Sequence, residues 1–140
     1  MSENNVHLEH VRIQGFKSIK ELDLNMESIN ILIGANGSGK SNFISLFTFL
    51  RNLSEGKLQN YVEKQGFANT FFHFGSKKTP EILIDVDVGI NGYHVVFEHG
   101  ANDDTLVFKK EYCTIKTSPR KFHVKGSKGE SGMLPGTEAD

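Results

Sequence analysis

The octet from Gly34 to Ser41 constrains this chain most, because it reads GANGSGKS and matches the phosphate-binding pattern G-x-x-x-x-G-K-[ST]. An almost continuous apolar run, INILI at residues 29–33, precedes it and predicts a strand buried on both faces of a sheet. After the octet, apolar residues with helical spacing predict a helix; they are Phe43, Leu46, Phe47 and Leu50. A strand, a glycine-rich loop and a helix form the context that this motif requires.

The residue types in the octet explain how it would hold a polyphosphate. Its three glycines allow tight turns and positive φ angles, so that backbone N–H groups can point at phosphate oxygens. The N-terminus of the following helix also favours an anion. Lys40 is predicted to contact the β- and γ-phosphates, and the Ser41 hydroxyl is predicted to bind Mg²⁺. A dinucleotide-binding pattern starting at Gly37 is excluded, because it requires a third glycine where Asn42 stands.

Composition and charge limit the class of protein. With 140 residues, 37% of them hydrophobic, the chain has the size of one folded domain with a real core. The formal net charge of −1 gives no general attraction to nucleic acid. The single cysteine, Cys113, excludes an internal disulfide and is interpreted as a strand residue. The sequence shows neither a signal-peptide pattern nor an apolar run of membrane-spanning length, so a cytoplasmic protein is predicted.

Periodicity predicts the order of the elements. Alternating apolar residues predict two strands before the phosphate-binding loop, and Gly56 is predicted to cap the helix that follows the loop. A short second helix and an aromatic cluster ending at Gly75 come next, and then three strands, of which the first two are joined at an Asn91-Gly92 turn. The predicted organisation is a domain over residues 1–115, made of a phosphate-binding core (8–56), a connecting helix and loop (57–80) and a β meander (81–115), with a flexible tail over 116–140.

Two motifs together carry a family resemblance: VRIQGFKS at residues 11–18 and GANGSGKSN at residues 34–42. The pair resembles the N-terminal ATP-binding lobe of the RecF, SMC and ABC-type ATPases, including the RecF-like AAA family ATPases found beside nucleases in bacterial defence systems. The resemblance implies an α/β P-loop NTPase lobe, in which a mixed sheet surrounds the P-loop helix and an antiparallel β meander follows. It implies ATP and Mg²⁺ as cofactors. The ATP-binding residues that follow from the motif and the resemblance are Gly34, Ala35, Asn36, Gly37, Ser38, Gly39, Lys40, Ser41, Asn42 and Lys17, with Ser41 as the Mg²⁺ ligand.

Two of these assignments have a structural alternative. Lys17 would lie near the nucleotide by the resemblance, but a solvated lysine beside a core Phe16 fits the sequence equally well. Asn36 matches the loop asparagine of the family, and asparagine is equally common in ordinary turns.

The parts needed for hydrolysis are not found in the sequence. Transfer of a phosphoryl group to water requires a held metal ion, an oriented water molecule and stabilisation of the developing charge. Asp85 follows an apolar run like a Walker B aspartate, but its alternation with Asp87 is typical of a hairpin strand, and Val86 stands where the family carries a catalytic Glu. The segment NLSEGK at residues 52–57 lies too early in the chain for an ABC-type signature loop. No catalytic residue is therefore assigned.

These observations favour an ATP-binding N-terminal lobe of a RecF/SMC-like ATPase that acts in DNA repair or phage defence and is incomplete for hydrolysis alone. A second ATPase lobe or a homodimer partner would complete it, and DNA and an associated nuclease are further partners implied by the resemblance, with no membrane. The alternative is a non-catalytic nucleotide-binding module or a truncated remnant. A GTPase-like switch is disfavoured, since no N-K-x-D base-reading motif is present. The choice of ATP over GTP rests on the resemblance, because the loop binds phosphates and not the base.

Overall fold

Within the residues that the structure describes, 6–123 and 129–132, six antiparallel strands form one sheet and helices cover one of its faces. This description comes from a computed structural model. The strands are β1 (Leu8–Phe16), β2 (Ile19–Asn25), β3 (Glu81–Val88), β4 (Asn91–His99), β5 (Leu106–Ile115) and β6 (Ser118–His123), in the order β2-β1-β3-β4-β5-β6. The helices are α1 (Lys40–Ser54) and α2 (Leu58–Lys64), followed by a short 3-10 helix (Ala68–Phe71).

The alternating pattern of the first two strands places one face of the sheet in the core. Val11 and Ile13 of β1 are fully buried, whereas Arg12 between them is partly exposed on the opposite face. β1 pairs with β2 on one side and with β3 on the other, so it joins the N-terminal hairpin to the later strands. β1 is thus an inner strand with a neighbour on each side, and it carries some of the most buried residues of the chain.

The predicted hairpin between β3 and β4 is present, but its turn lies two residues earlier than predicted. Val88 pairs with Asn91 and Asp87 pairs with Gly92, so the two-residue loop is Gly89–Ile90. Gly89 has a φ of 57°, and a glycine is favoured at the first loop position of such hairpins. Asn91 and Gly92 therefore begin β4 instead of forming the turn.

Helix α1 packs its apolar face on the sheet, with a stripe that differs from the predicted one. Phe43, Leu46, Phe49 and Leu53 are buried. Phe47, which the spacing predicted to be buried, is exposed, and Leu50 is only partly buried. The observed stripe of Phe43, Leu46, Phe49 and Leu53 has a helical spacing of three to four residues, as the predicted stripe does. Both stripes therefore fit the sequence, and the position of the sheet decides which of them is buried.

The end of α1 agrees with the prediction, and the predicted short second helix is present as α2. Gly56 has a φ of 68° directly after the C-terminus of α1, and its N–H donates to the carbonyl oxygen of Leu53 over 3.2 Å. Such a glycine is the common way to end a helix. Helix α2 then buries Leu58 and Val62 against the same core.

The predicted mixed sheet around the P-loop helix is wrong, because the sheet is antiparallel and residues 29–33 are not part of it. The apolar side chains of this segment are largely exposed, at 83% for Ile29, 80% for Ile31, 42% for Leu32 and 90% for Ile33. A strand buried on both faces needs neighbours at its edges and layers above and below it. The described residues supply neither neighbouring strands nor covering layers to residues 29–33. The segment therefore has the composition of a buried strand but lies in solvent.

The prediction of a flexible tail is wrong for Ser118–His123, which form β6 and pair with β5. Residues 129–132 also make tertiary contacts. The carboxylate of Glu130 accepts hydrogen bonds from the backbone N–H groups of Leu58 and Gln59, each over 2.9 Å. The rest of the predicted tail, residues 124–128 and 133–140, lies outside the described residues.

Candidate nucleotide-binding site

The loop at residues 34–39 folds back on itself between the exposed apolar segment and α1. A turn at Asn36–Gly37 is closed by a hydrogen bond from the Ser38 N–H to the Ala35 carbonyl oxygen over 3.1 Å. Gly37 has a φ of 83° and Gly39 a φ of 97°, values that side chains other than glycine rarely allow. The pattern of glycines in the motif therefore corresponds to a backbone conformation that this chain adopts.

The first glycine of the octet is required for a different reason, which is close approach. A Cβ atom at Gly34 would lie 2.7 Å from the Ser38 hydroxyl oxygen and 3.3 Å from its Cβ. The side chain of Lys40 also returns over the loop, where its ammonium group donates to the carbonyl oxygen of Gly34. The loop thus forms a small closed turn with one cation held against its backbone.

The N-terminus of α1 is free to bind an anion. Gly39 is the N-cap residue, and in this fully described stretch no side-chain hydrogen bond caps the helix. The first turn of α1 also carries no acidic residue. The first N–H groups of a helix have no partner within the helix, and the helix dipole makes this end positive. A phosphate group would satisfy these N–H groups, and Lys40 would add a positive charge. The loop therefore fits the polyphosphate of a nucleotide.

Ser41 lies in the exposed first turn of α1, directly after Lys40. Its hydroxyl group could therefore bind the Mg²⁺ ion that accompanies a polyphosphate on this loop. A hydroxyl oxygen is a suitable ligand for Mg²⁺, which usually retains several water molecules and phosphate oxygens as its other ligands. When bound, the ion would neutralise charge on the phosphates. Among residues 6–123 and 129–132, no group of three or more His, Cys, Asp or Glu side chains is arranged to hold a metal ion by itself.

The turn between β1 and β2 packs against the start of α1. The side-chain amide of Asn42 donates to the Ser18 hydroxyl oxygen over 2.6 Å. A Cβ atom at Gly39 would lie 3.4 Å from the same hydroxyl oxygen. The two sequence motifs that carry the family resemblance, separated by more than a dozen residues, therefore meet in space at Ser18 and Asn42.

Lys17 has an unusual environment for a surface lysine. Its φ is 50°, and its ammonium group lies 4.9 Å from the centre of the Phe71 ring and 5.9 Å from that of Phe16. Partial burial lowers the pKa of this ammonium group. Its backbone N–H donates to the Phe71 carbonyl oxygen over 2.7 Å, so the position of the residue is fixed by the core. Lys17 is thus a cation held on aromatic rings and not a freely solvated side chain.

A cavity of about 650 Å³ opens beside α1 and joins these elements. Of the predicted site residues, Lys17 and Asn42 line it. Its other walls come from the segment between α2 and β3, which the sequence did not single out for binding. The lining residues are Lys17, Ser18, Asn42, Gln65, Asn69, Thr70, Phe72, His73, Phe74 and Gly75. The sequence signal for the second wall is the aromatic cluster that ends at Gly75, which was not interpreted as a binding surface.

Asp85, the weak Walker B candidate, takes part in a cross-strand network. Its carboxylate lies 2.8 Å from His94 Nδ1, and His94 Nε2 lies 3.1 Å from the Thr114 hydroxyl oxygen. The His94 ring also stacks on Tyr112, with ring centres 4.7 Å apart. These contacts tie β3, β4 and β5 together on the face of the sheet opposite the helices, which is a structural role for Asp85.

Cys113 lies in β5, as predicted, and is half-buried. Burial raises the pKa of its thiol, and the nearby charge of Glu111 raises it further. A thiol with a raised pKa is a poor nucleophile at neutral pH. In the part of the chain that the structure describes, no helix is long and apolar enough to cross a membrane.

Comparison with known proteins gives one family and several relatives. The sequence model of the AAA ATPase domain matches residues 7–127. Structural maintenance of chromosomes protein 2 of Xenopus laevis is 28% identical over 142 residues, which cover 84% of this chain and 12% of the relative. DNA replication and repair protein RecF of Lactobacillus acidophilus is 37% identical over 46 residues, which cover 32% of this chain and 12% of the relative. Endonuclease GajA of Bacillus cereus is 26% identical over 80 residues, which cover 56% of this chain and 13% of the relative.

The chain therefore spans only 12–13% of the length of these relatives. The family match, by contrast, extends over most of the chain and includes both the β1–β2 turn and the phosphate-binding loop. The chain belongs to the AAA ATPase domain family, as a RecF/SMC-like P-loop ATPase region.

Proposed function

We propose that this chain is the ATP-binding N-terminal lobe of a RecF/SMC-like ATPase that acts on DNA in repair or phage defence, and that it does not hydrolyse ATP by itself. The observation that carries the proposal is the start of α1, where an uncapped helix N-terminus follows a loop with two glycines at positive φ. Lys40 supplies a cation at the same place. Backbone N–H groups and an ammonium group are the elements that a P-loop uses to bind phosphates.

The proposed nucleotide ligands are the residues of the motif and its neighbours. The loop backbone from Gly34 to Gly39 would hold the phosphates, with Lys40 on the β- and γ-phosphates and Ser41 on Mg²⁺. Asn42 and Lys17 would contribute from the cavity beside α1, which they both line. When bound, Mg²⁺ would neutralise phosphate charge. The residues of this chain would bind and orient the nucleotide.

The residue types that line the cavity beside α1 support a lobe that is incomplete for hydrolysis. None of the residues that line the cavity beside α1, all of them in the described part of the chain, is an Asp or Glu. A carboxylate is the usual group for orienting the attacking water and for holding the metal ion from the second side. We propose that these groups come from a second ATPase lobe or from a homodimer partner.

The exposed segment at residues 29–33 supports the same proposal. Its four large apolar side chains are exposed within five residues, and contiguous apolar patches on a protein surface often mark interaction sites. Its composition suits a strand at the centre of a parallel sheet. Strands of the second lobe would pair with this segment and bury it, directly beside the phosphate-binding loop.

The biological role is proposed from the relatives. One is named for DNA replication and repair, one as an endonuclease and one for the maintenance of chromosome structure. DNA and an associated nuclease are therefore the proposed partners, and the cytoplasm the proposed location. A non-catalytic nucleotide-binding module remains the alternative function, and it differs from the proposal in that no second lobe would confer hydrolysis.

Calorimetry with Mg-ATP tests the nucleotide site. We expect the chain to bind Mg-ATP and Lys40→Ala to weaken binding at least tenfold, because a charge-assisted contact to phosphate contributes about 1.5–3 kcal/mol. Lys110→Ala is the matched control, since Lys110 is an exposed lysine on β5. Equal affinities of the wild-type and Lys40→Ala chains for Mg-ATP would contradict the proposed nucleotide site.

Phosphate release by the same preparations separates a complete enzyme from a lobe. We expect no turnover above background for the chain alone. Steady hydrolysis that Lys40→Ala abolishes would contradict the proposal that a second lobe is needed.

A further inference from the structure

The cavity beside α1 has a feature that phosphate binding does not use, which is an exposed aromatic side chain on its wall. We propose that this cavity binds the nucleoside part of the nucleotide and that the base stacks on the ring of Phe74. This inference rests on the proposed function, because it places the base and ribose of the same ligand whose phosphates lie on the loop at residues 34–41. It adds the part of the site that the phosphate-binding motif does not define.

Phe74 is placed in a way that neither core packing nor backbone preference explains. Its side chain is 81% exposed, so it gains little from burial. Its φ is 57°, in a region that is unfavourable for a bulky side chain. Residues in such conformations cluster at binding sites, where the surrounding structure holds them. An exposed, flat and apolar ring is the surface on which a nucleobase stacks.

The neighbours of Phe74 hold it in this position. The backbone N–H of His73 donates to the Gly15 carbonyl oxygen over 3.0 Å, and His73 Nδ1 lies 2.8 Å from the carbonyl oxygen of Lys17. On the other side, the Gly75 N–H donates to the Phe72 carbonyl oxygen over 2.9 Å. The Phe74 and His73 rings lie against each other, with centres 4.3 Å apart. The backbone on both sides of Phe74 is therefore held in place, and its ring packs on His73 before any ligand binds, which lowers the entropic cost of stacking.

The segment is also fixed from the 3-10 helix. The side-chain oxygen of Asn69 accepts hydrogen bonds from the N–H and the hydroxyl group of Ser76, each over 2.9 Å. Gly75 follows Phe74 with a φ of 83°, and its Cα lies close to the Asn69 side chain, since a Cβ there would be 3.4 Å from the Asn69 oxygen. The turn that exposes Phe74 is thus built by specific contacts on both of its sides.

The polar groups of the cavity suit a nucleotide between the loop and Phe74. Lys17 and Asn42 both line the cavity. Asn42 lies in the first turn of α1, where the phosphates are proposed to bind, and its side chain bonds to Ser18, the neighbour of Lys17. Gln65, Asn69 and Thr70 supply amide and hydroxyl groups on its walls, and such groups can hydrogen-bond ribose hydroxyls and base edges. The lining contains a lysine and a histidine and no carboxylate, so it does not repel a nucleotide anion.

The cavity has a size that fits this ligand. Its volume of about 650 Å³ lies within the range of about 300–1,000 Å³ that is usual for small-molecule sites. A second cavity of about 580 Å³, beneath α2 and β5, is lined by Glu63 and Asp103. Two carboxylates make that second cavity unsuitable for a nucleotide.

Three probes separate the base site from the phosphate site: Mg-ATP, adenosine and Mg-tripolyphosphate. Adenosine lacks phosphates and tripolyphosphate lacks a base, so each probe reports on one half of the proposed site. Binding is measured by calorimetry for Mg-ATP and tripolyphosphate. For adenosine it is measured by changes in the backbone amide NMR signals of Gln65 and Gly75, which line the cavity.

The test variant is Phe74→Asn, because asparagine tolerates positive φ and so keeps the backbone conformation while removing the ring. Phe67→Asn is the matched control, since Phe67 is also exposed, at 52%, has a φ of 71°, and is not part of the cavity lining. We expect Phe74→Asn to weaken Mg-ATP binding about tenfold, to remove the adenosine-dependent signal changes and to leave tripolyphosphate binding unchanged. Phe74→Tyr, which keeps the ring, should bind all three probes as the wild type does.

The outcomes distinguish this inference from the proposed function. If Mg-ATP binds and Lys40→Ala weakens it, but Phe74→Asn changes neither Mg-ATP nor adenosine binding, the base site is wrong and the phosphate site stands. If tripolyphosphate does not bind and Mg-ATP binding is insensitive to Lys40→Ala, the proposed function is wrong. The absence of any adenosine-dependent signal change in the wild-type chain, or an equal effect of Phe67→Asn and Phe74→Asn, would overturn the base site in either case.

Discussion

At the scale of single residues, Phe49 carries much of the packing between α1 and the sheet. Its ring centre lies 5.5 Å from those of Phe16 and Phe97 and 5.6 Å from that of Phe71. Two of these contacts are edge-to-face arrangements, which aromatic rings prefer. Phe49 therefore joins the helix to β1, to β4 and to the 3-10 helix through one side chain.

Replacing Phe49 with Ala should lower the free energy of unfolding by about 3–5 kcal/mol, because it removes a fully buried ring and leaves a cavity among rigid neighbours. Urea unfolding followed by circular dichroism measures this change. Phe122→Ala is the control, since Phe122 is exposed on β6, and it should change the unfolding free energy by less than about 1 kcal/mol. Similar effects of the two substitutions would contradict the position of Phe49 in the core.

At the scale of elements, α2 depends on a segment that is far away in the sequence. Glu130 places one carboxylate oxygen on the N–H of Leu58 and the other on the N–H of Gln59. The Gln59 side-chain amide in turn donates to the carbonyl oxygens of Leu106 and Gly129, over 3.1 and 2.8 Å. Residues 129–132 therefore act as a distant N-terminal cap for a helix that has none of its own.

Glu130→Gln should lower the free energy of unfolding by about 0.5–2 kcal/mol, because a neutral amide loses the charge-assisted bonds and one of its two acceptors. Amide hydrogen exchange should also become faster at Leu58 and Gln59, and together with urea unfolding it provides the measurement. Glu27→Gln serves as the comparison, because the Glu27 side chain is exposed. Unchanged exchange rates at the start of α2 would show that Glu130 does not cap this helix.

At the scale of the whole molecule, α1 and the β1–β2 turn link the phosphate-binding loop to the sheet. The segment at residues 29–33 crosses from β2 to the loop without pairing with any strand in the described part of the chain. Its local hydrogen bonds include those between Glu27 and Asn30, over 2.8 and 3.0 Å. The exposed apolar side chains are therefore a surface available to a partner and not a part of the core.

Ile31→Asp tests this arrangement, because Ile31 is exposed and lies in the middle of the segment. In the isolated chain, we expect the free energy of unfolding to change by no more than about 0.5 kcal/mol, as is usual for surface positions. We also expect light scattering to show less self-association than for the wild type, since the charge interrupts the apolar patch. A loss of more than about 2 kcal/mol would mean that the segment is buried in the folded chain.

Local sequence patterns predicted those parts of the fold that neighbours in the chain determine. The alternation in β1, β2 and β3, the glycine at the end of α1 and the presence of a helix after the phosphate-binding loop all follow from backbone preferences and from short-range periodicity. The turn between β3 and β4 was predicted at Asn91-Gly92 because this pair is a strong turn signal. The pairing of Asp87 with Gly92 places the turn at Gly89–Ile90 instead. The stripe of α1 was misassigned for the same reason, since the sheet and not the helix selects Phe49 over Phe47.

The sequence by itself determined the phosphate-binding motif, the family and the strands with alternating patterns, because each depends on residues close together along the chain. Only the tertiary structure decided that the sheet is antiparallel and that residues 29–33 remain outside it, because strand pairing depends on which partners are available and not on the composition of one strand. It also brought Phe74 beside Lys17 and Asn42, through contacts between segments more than thirty residues apart. No periodic pattern can encode such contacts, because they depend on how the whole chain packs.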